Sequence, residues 1–259
     1  MVEKWQASMR GRERRTVYVY VPDGAPRGKR FPVLYMFDGH NVFFDKDATY
    51  GKSWGMKEFL DAHGVQIMVV AVDCDHSPRN GRLCEYSPFS WNDSHFGEVH
   101  GRGRWFMTWL TEVLKPQIDR RYPTKPQREH TMIAGSSMGG LMAIYAVTSW
   151  NRFFGRAAAL SPSVWTSSRK VCRLIEESRL QGETVLYMDY GSEELSNHPG
   201  ILPQLTRVAG TLAEQGIYLT ARIVPHGTHC EACWEQQIPY FLQILLTPEE
   251  WGQPEEHTI

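Results

Sequence analysis

The chain has 259 residues, enough for one large domain or two small ones with a substantial buried core. Its 28 lysines and arginines balance 29 aspartates and glutamates, which gives a formal net charge of −1. Because this balance leaves no basic excess to attract phosphates, the composition excludes a typical nucleic-acid-binding protein.

The N-terminal segment and the cysteines indicate the compartment. Residues 1–15 are polar and charged with no apolar run behind them, so no signal peptide is expected. No stretch reaches the roughly 18 apolar residues of a membrane-spanning helix, so no membrane partner is expected. The five cysteines are odd in number and scattered, which is typical of a reducing compartment. The sequence therefore predicts a soluble, cytoplasmic protein.

Short apolar segments, most of them apolar on both faces, predict buried strands of a mainly parallel sheet. In chain order they are 16–21, 32–37, 66–72, 131–135, 156–160, 184–190 and 218–224. Helical periodicity is found between them, at 54–63, 103–119, 138–149, 169–179, 203–215 and 234–246. This alternation predicts an α/β fold, a mostly parallel central sheet with helices on both faces. Because no change of composition marks a boundary, residues 1–259 are predicted to form one domain.

The segment 74–104 breaks the alternation, since it is long, polar and rich in Gly, Pro, Asn and aromatic residues. Long loops within compact domains usually carry a function or are disordered. This one lies between a strand and a long helix, so we predict that it forms a wall or lid of a pocket.

The segment 135–139 has the spacing Gly-x-Ser-x-Gly, which centres on Ser137 and not on Ser136. A sharp turn from the predicted strand into the predicted helix leaves no room for side chains two positions either side of that serine. The turn would present the hydroxyl at a helix N-terminus, where backbone N–H groups stabilise a developing negative charge. We predict Ser137 as a nucleophile and the Met138 N–H as an oxyanion donor; the alternative is a glycine-rich turn with a capping serine.

A serine nucleophile needs a histidine to accept its proton and a carboxylate to orient that histidine. In hydrolases with this turn the chain order is serine, acid and histidine, each in a loop after a successive strand. The loop after strand 184–190 offers Glu194 as first choice, with Glu193 and Asp189 as alternatives. The loop after the last strand offers His229, with the histidine three residues before it in reserve.

A second oxyanion donor is expected in the loop after strand 32–37. Gly39 permits an unusual backbone turn there, so the N–H of His40 could point into the site. This assignment concerns the backbone of His40, and its side chain is given no role.

One segment, 226–233, has metal-like spacing, with two histidines and a Cys-x-x-Cys pair. A zinc site of this type normally needs a second ligand pair, and no other Cys or His pair has such spacing. We therefore predict neither a metal nor another cofactor.

Together these segments resemble the esterase D-like family of α/β-hydrolases. This family contains S-formylglutathione hydrolases, feruloyl and acetylxylan esterases, enterochelin-type siderophore esterases and mycolyltransferases. The likeness spans residues 13–247 and rests on the ordered segments RRTVYVYVPDG, FPVLYMFDGHN, CEYSP, IAGSSMGGLMAIYA, ALSPSVW, MDYGSEE and GTHCEACW.

The resemblance implies the α/β-hydrolase fold and a serine hydrolase of esters or thioesters. It implies a triad of Ser137, Glu194 and His229, with an oxyanion hole formed by the backbones of His40 and Met138. The chain departs from many members in having glutamate where they have aspartate, and some siderophore-esterase relatives work with serine and histidine alone.

Aromatic residues near the carboxyl ends of strands predict the walls of the substrate pocket. Trp54, Trp91 and Trp165 are expected there, with packing in the core as the alternative for Trp54 and Trp165. Arg82, in the long loop, could bind an anionic group of the substrate or lie on the surface.

The function predicted is that of a serine carboxylesterase that hydrolyses small acyl or aryl esters through an acyl-enzyme. The alternative is a siderophore trilactone esterase, and a less favoured one is a non-catalytic binding protein. The partner is a small-molecule ester; the sequence leaves open its acyl and alcohol groups and the oligomeric state, including a homo-oligomer.

Overall fold

Among the residues that the structure describes, eight strands form a central sheet. The computed structural model describes residues 1–251 except for 10, 12, 24–27 and 199. The strands are β1 Val2–Ser8, β2 Arg14–Tyr20, β3 Val33–Met36, β4 Met68–Val72, β5 Trp91–Asp93, β6 Gly97–Val99, β7 Thr131–Ser136, β8 Arg156–Leu160, β9 Val185–Gly191 and β10 Tyr218–Val224. The central sheet has the order β1-β2-β4-β3-β7-β8-β9-β10, and β5 and β6 form a separate antiparallel pair.

All neighbouring strands from β4 to β10 in the central sheet are parallel, while β2 pairs antiparallel with β1 and β4. The carboxyl ends of the parallel strands therefore lie at one edge, where the loops that follow them meet. The sequence does not predict β1, because most residues of this edge strand are exposed or half-buried and it contains no apolar run.

Helices cover both faces of this sheet. They are α1 Met56–Ala62, α2 Gly81–Glu85, α3 Gly103–Trp109, α4 Lys115–Arg121, α5 Met138–Ser149, α6 Ser168–Glu176, α7 Ser192–Asn197, α8 Leu202–Glu214, α9 Glu231–Glu235, α10 Ile238–Leu245 and α11 Pro248–Trp251. Short 3-10 turns lie at Gly39–Asn41, Arg128–His130 and Val164–Thr166, and a π-helical turn at Leu110–Leu114 joins α3 to α4.

Two apolar cores lie on opposite faces of the sheet. Alternate residues of β3 belong to different cores, Val33 and Tyr35 to one and Leu34 and Met36 to the other. Helices α3, α5, α6 and α8 pack in the first core, and α1 and α10 pack in the second. The predicted α/β fold is confirmed. Among the described residues, no helix combines the length and apolar character that crossing a bilayer requires.

Candidate active site

Ser137 lies at the turn between β7 and α5, with φ of 58° and ψ of −121°. Non-glycine residues rarely adopt such angles, and their cost is tolerated mainly at functional sites. A Cβ added at Gly135 would lie 2.8 Å from the backbone of Gly139, and one added at Gly139 would lie 3.0 Å from Phe37. The two glycines therefore allow strand and helix to approach closely. Ser136 is buried, whereas Ser137 lines a cavity.

The carboxylate of Glu194 lies beside the ring of His229. Glu194, in the first turn of α7, is buried, and its Oε2 lies 2.6 Å from Nδ1 of His229. Its Oε1 accepts hydrogen bonds from the Gly191 N–H at 3.1 Å and from the Ser161 hydroxyl at 2.7 Å. A carboxylate held in this way orients the imidazole, and a proton on Nδ1 leaves Nε2 free to accept another.

The loops that carry the acid and the histidine contact each other through their backbones. A Cβ at Gly191 would lie 2.2 Å from the carbonyl oxygen of Gly227, so neither position has room for a side chain. The Glu193 N–H donates to that same carbonyl at 3.1 Å. The His226 N–H donates to the Ser192 hydroxyl at 2.8 Å. These contacts bring the end of β9 and the end of β10 into a common support for the pair.

The alternative acids and the reserve histidine lie elsewhere. Glu193 is exposed and its carboxylate lies 3.8 Å from His226, whose side chain is 93% exposed. Asp189 is buried within β9 and accepts a hydrogen bond from the Tyr187 hydroxyl at 2.8 Å. Burial raises the pKa of Asp189 to about 6, although that hydrogen bond lowers it. Of the three candidate carboxylates, Glu194 is the one in hydrogen-bonding range of His229.

Ser137 and His229 line the same cavity of about 930 Å³. The hydrogen bond of the Ser137 hydroxyl within the described residues goes to Ser163, at 3.3 Å, and not to His229. The His229 ring packs edge-on against Trp234, with 5.0 Å between ring centroids. In ligand-free enzymes the bond between nucleophile and base is often long and tightens when substrate binds.

The two predicted oxyanion donors differ in position. Met138 begins α5 directly after Ser137, is buried, and lines the cavity. His40 is buried in the 3-10 turn Gly39–Asn41 and is not among the residues that line the cavity. Its N–H as a second donor stays a prediction.

The segment predicted as a long loop contains regular structure, namely α2 and the β5–β6 pair. Leu83, Asp93 and Phe96 from this segment line the cavity, as does Trp165 from beyond it. Phe96 stacks on Trp165 with 6.1 Å between ring centroids. This segment thus supplies part of the cavity wall, including the aromatic ring of Phe96.

Two of the three predicted pocket tryptophans are placed differently from the expectation. Trp54 is 3% exposed and packs between Trp234 and Phe241 in the second core, so its ring is withdrawn from the cavity. Trp91 is also buried, and its edge-to-face contact with Trp165, at 5.3 Å between centroids, places it behind the cavity wall. Aromatic residues next to strand ends are as useful in packing as in binding, and the sequence pattern does not distinguish the two.

Arg82 lines the cavity but is paired. Its Nε and Nη2 donate to the two oxygens of Asp38 at 2.6 and 2.7 Å, and its guanidinium lies 5.5 Å from the ring of Tyr86. Burial lowers the pKa of Arg82, but the Asp38 carboxylate raises it by more, so this pKa lies above its ordinary value. The charge of Arg82, for which binding of a substrate anion and a surface position were the two alternatives, is therefore largely neutralised within the protein.

The sequence does not predict Ser161, which follows β8. This residue is buried with φ of 44°. Its hydroxyl donates to Glu194 and accepts a hydrogen bond from Nε1 of Trp234 at 3.1 Å. Ser161 thus connects the acid to the tryptophan that packs on His229. The run ALSPSVW contained it, but a buried serine has no signal of its own in sequence.

We expect Ser161→Ala and Ser161→Gly to lower kcat about fivefold, because each removes one hydrogen bond, worth about 1 kcal/mol, that orients Glu194. Glycine relieves the positive φ and alanine does not, so the glycine variant should melt at the higher temperature. Steady-state kinetics and thermal melting of both variants check this. If the two variants lose kcat equally but differ in melting temperature, Ser161 has a positioning role. Values of kcat that rise and fall with the melting temperatures contradict this role.

The family model described as "Putative esterase" matches residues 8–245. The uncharacterized protein YbbA of Bacillus subtilis is 24% identical over 214 residues, 80% of each chain. A siderophore enterobactin esterase of Emericella nidulans is 26% identical over 188 residues, 66% of this chain and 61% of the relative. This chain therefore spans less than two thirds of that relative.

Solved structures show the same fold. An IroE-like serine hydrolase from Shewanella oneidensis superposes with a TM-score of 0.72 at 20% identity, covering 95% of this chain and 79% of that one. This likeness shows the α/β-hydrolase fold, and the family match shows the chemistry class. The chain belongs to the esterase family, and it acts on ester bonds.

Proposed function

We propose that this protein is a serine carboxylesterase for small acyl or aryl esters, with Ser137 as nucleophile, His229 as base and Glu194 as the acid. The observation that carries the proposal is the 2.6 Å contact between Glu194 and His229 at a cavity that Ser137 also lines. The strained backbone of Ser137 supports the same assignment, since strain of this kind is maintained where function requires it.

The proposed reaction proceeds by two acyl transfers. On substrate binding the Ser137 hydroxyl exchanges its bond to Ser163 for one to Nε2 of His229. Its oxygen attacks the ester carbonyl carbon while His229 takes the proton, and the carbonyl oxygen becomes an oxyanion facing the Met138 N–H. His229 then protonates the alcohol oxygen as the C–O bond breaks. Water repeats the sequence on the acyl-enzyme and regenerates the serine.

The cavity wall supports an acyl or aryl substituent on the substrate. Phe96, Trp165, Tyr190 and Ile201 supply apolar surface near the nucleophile. Aromatic walls bind flat or extended apolar groups, and a cavity of about 930 Å³ accommodates a drug-sized molecule. A small-molecule ester is therefore the proposed partner.

The second candidate is a siderophore trilactone esterase. The Emericella nidulans relative is described as a siderophore enterobactin esterase, and the large cavity has room for more than a simple acyl group. A non-catalytic binding role is disfavoured, because binding alone gives no reason to retain a strained serine beside a carboxylate–imidazole pair.

All five cysteines are free thiols, which supports the proposed cytoplasmic location. The family match over residues 8–245 supports the proposed single domain.

A fluorophosphonate probe tests the nucleophile directly, because it forms a covalent bond only with an activated serine. We expect one label per chain, which peptide mass spectrometry places on Ser137. The matched control is Ser136→Ala, which alters the buried neighbour and should label like the wild type. A protein that does not react, or a label on Ser136 or Ser163, would contradict the assignment.

A panel of esters separates the two candidate substrates. We expect p-nitrophenyl esters of graded acyl length and methyl ferulate to be hydrolysed, with kcat/KM highest for an apolar or aryl acyl group. Cleavage of ferri-enterobactin without measurable turnover of the simple esters would replace the first candidate by the second. Chromatography of the released acids identifies the bond that breaks.

A further inference from the structure

Four side chains with metal-binding atoms meet at the carboxyl ends of β3 and β4. His40 lies in the 3-10 turn after β3, and Asp73, Cys74 and His76 follow β4. One potential ligand atom from each lies within 4.8 Å of all the others. We propose that these four residues bind a divalent transition metal of the zinc type.

Three of the six distances between the potential ligand atoms are close to those around such an ion, and all six are within 4.8 Å. Asp73 Oδ1 lies 2.6 Å from Nδ1 of His40 and 2.9 Å from Nε2 of His76. The sulfur of Cys74 lies 3.9 Å from the same nitrogen of His76. Tetrahedral zinc with its usual bond lengths separates its ligand atoms by about 3.3 to 3.7 Å. The nitrogen–oxygen contacts would open by about half an ångström, and the sulfur would move slightly inward.

The surroundings of His40 hold its ring in the orientation that a metal requires. Nε2 of His40 lies 2.9 Å from the Thr49 hydroxyl, and the Thr49 N–H donates to the Asn41 side chain at 3.0 Å. If Nε2 carries the proton donated to Thr49, Nδ1 is left with a lone pair that faces the cluster. Metal-binding histidines are usually oriented by such a bond from their second nitrogen.

The kinds of ligand atom select the ion. Two imidazoles, one carboxylate and the thiolate that Cys74 forms by releasing its proton on binding match the nitrogen, oxygen and sulfur ligands of Zn²⁺ and of its spectroscopic substitute Co²⁺. Mg²⁺ and Ca²⁺ prefer shells made of oxygen atoms, and this cluster offers a single carboxylate. Four protein ligands complete a tetrahedron, which is typical of structural rather than catalytic zinc.

Bound metal would join two segments that already touch. A Cβ at Gly39 would lie 2.8 Å from the carbonyl carbon of Ala71 and 2.9 Å from the nitrogen of Asp73. The ion therefore links the turn that contains His40 to the segment that leads to Arg82. The competing explanation is a hydrogen-bond network alone, in which Asp73 accepts from both imidazoles and from the Cys74 N–H at 2.8 Å.

A second sulfur site has to be separated from this one in any experiment. The sulfurs of Cys230 and Cys233 lie 3.3 and 3.2 Å from the hydroxyl of Thr228. This Cys-x-x-Cys pair could itself bind a thiophilic ion. The double variant Cys230→Ser/Cys233→Ser removes it and serves as the background for the test.

Cobalt titration of the full-length, chelator-treated protein gives a readout that needs no ester turnover. In the Cys230→Ser/Cys233→Ser background we expect one Co²⁺ per chain, with tetrahedral d–d bands and a thiolate-to-cobalt charge-transfer band. Adding Cys74→Ser should abolish the charge-transfer band. His76→Ala should weaken Zn²⁺ binding in calorimetry by about 100-fold or more, since loss of even an outer-sphere partner costs 10- to 100-fold. Zn²⁺ should raise the melting temperature of the background protein and not that of His76→Ala.

Two controls keep the test decisive. His100→Ala replaces an exposed histidine outside the cluster and should bind Zn²⁺ like its background. The side chain of His76 is 58% exposed, so its removal leaves the core intact even where Cys74→Ser fails to fold. Absence of stoichiometric binding in the background protein, or equal affinity in His76→Ala, would overturn the proposal. Because the readouts are spectra, heats and melting, failure of the proposed esterase mechanism would not affect them.

Discussion

Replacing Ser137 by alanine is expected to lower kcat for ester hydrolysis by about 10⁴- to 10⁶-fold, leaving only what the oxyanion donor and substrate binding contribute. The reason is that no other group in the described site combines a hydroxyl with a position at the N-terminus of α5. Hydrolysis of a p-nitrophenyl ester, with burst kinetics of the wild type as reference, measures the loss. Wild-type turnover by Ser137→Ala would remove this residue from the mechanism.

The companion variant Ser137→Gly separates activity from stability. It should be as inactive as the alanine variant, yet its free energy of unfolding should exceed that of Ser137→Ala by about 1 kcal/mol, because glycine adopts φ of 58° without strain. Urea denaturation of the two variants measures the difference. Equal stability of the two would mean that the turn stores no strain.

Replacing Glu194 by glutamine is expected to lower kcat by about 10⁴-fold, the effect seen when the acid of a serine triad becomes an amide. The amide is neutral and can present N–H groups to Nδ1 of His229, which favours the tautomer whose Nε2 cannot take the serine proton. The side chain keeps its volume, so the buried site should remain filled. Steady-state kinetics over a range of pH, with thermal melting of the same samples, measure both effects.

Glu193→Gln is the matched control, because it makes the same change one residue earlier on an exposed side chain. Its kcat should stay within about twofold of the wild type, as is usual for a surface substitution. A loss of less than about tenfold in Glu194→Gln would indicate that serine and histidine work without the acid. A large loss in Glu193→Gln would transfer the role to that residue.

The sequence predicted those parts of the site whose geometry is local. The sharp turn at Ser137 follows from the spacing of two glycines between an apolar strand and a helix. The glycines, the strand and the helix can all be recognised within one short segment of the sequence. Glu194 and His229 were chosen by their order along the chain, because parallel strands bring their following loops to the same edge of the sheet. The structure brings these two side chains together, and it leaves Ser137 hydrogen-bonded to Ser163.

What the sequence did not predict depends on packing between distant segments. Trp54 was expected in the pocket, but its ring packs in the second core. The residues next to Trp54 in the sequence do not indicate which of these two positions its ring takes. Ser161 donates a hydrogen bond to Glu194, which lies 33 residues further along the chain. The metal-type cluster is not predicted from the sequence either, because His40 is separated from Asp73 by 33 residues, and metal motifs are recognised by short spacings.

The close backbone contact between Gly191 and Gly227 limits which positions of this enzyme can be redesigned. Since those two backbones support Glu194 and His229, the proposed acid and base, amino-acid diversity introduced at either glycine is expected to damage every reaction alike. Diversity at Phe96, Trp165 and Ile201 would instead reshape the cavity and leave the proposed Ser137, His229 and Glu194 unchanged. The molecule thus divides into a part that directed evolution should leave alone and a part that can be varied to accept new esters.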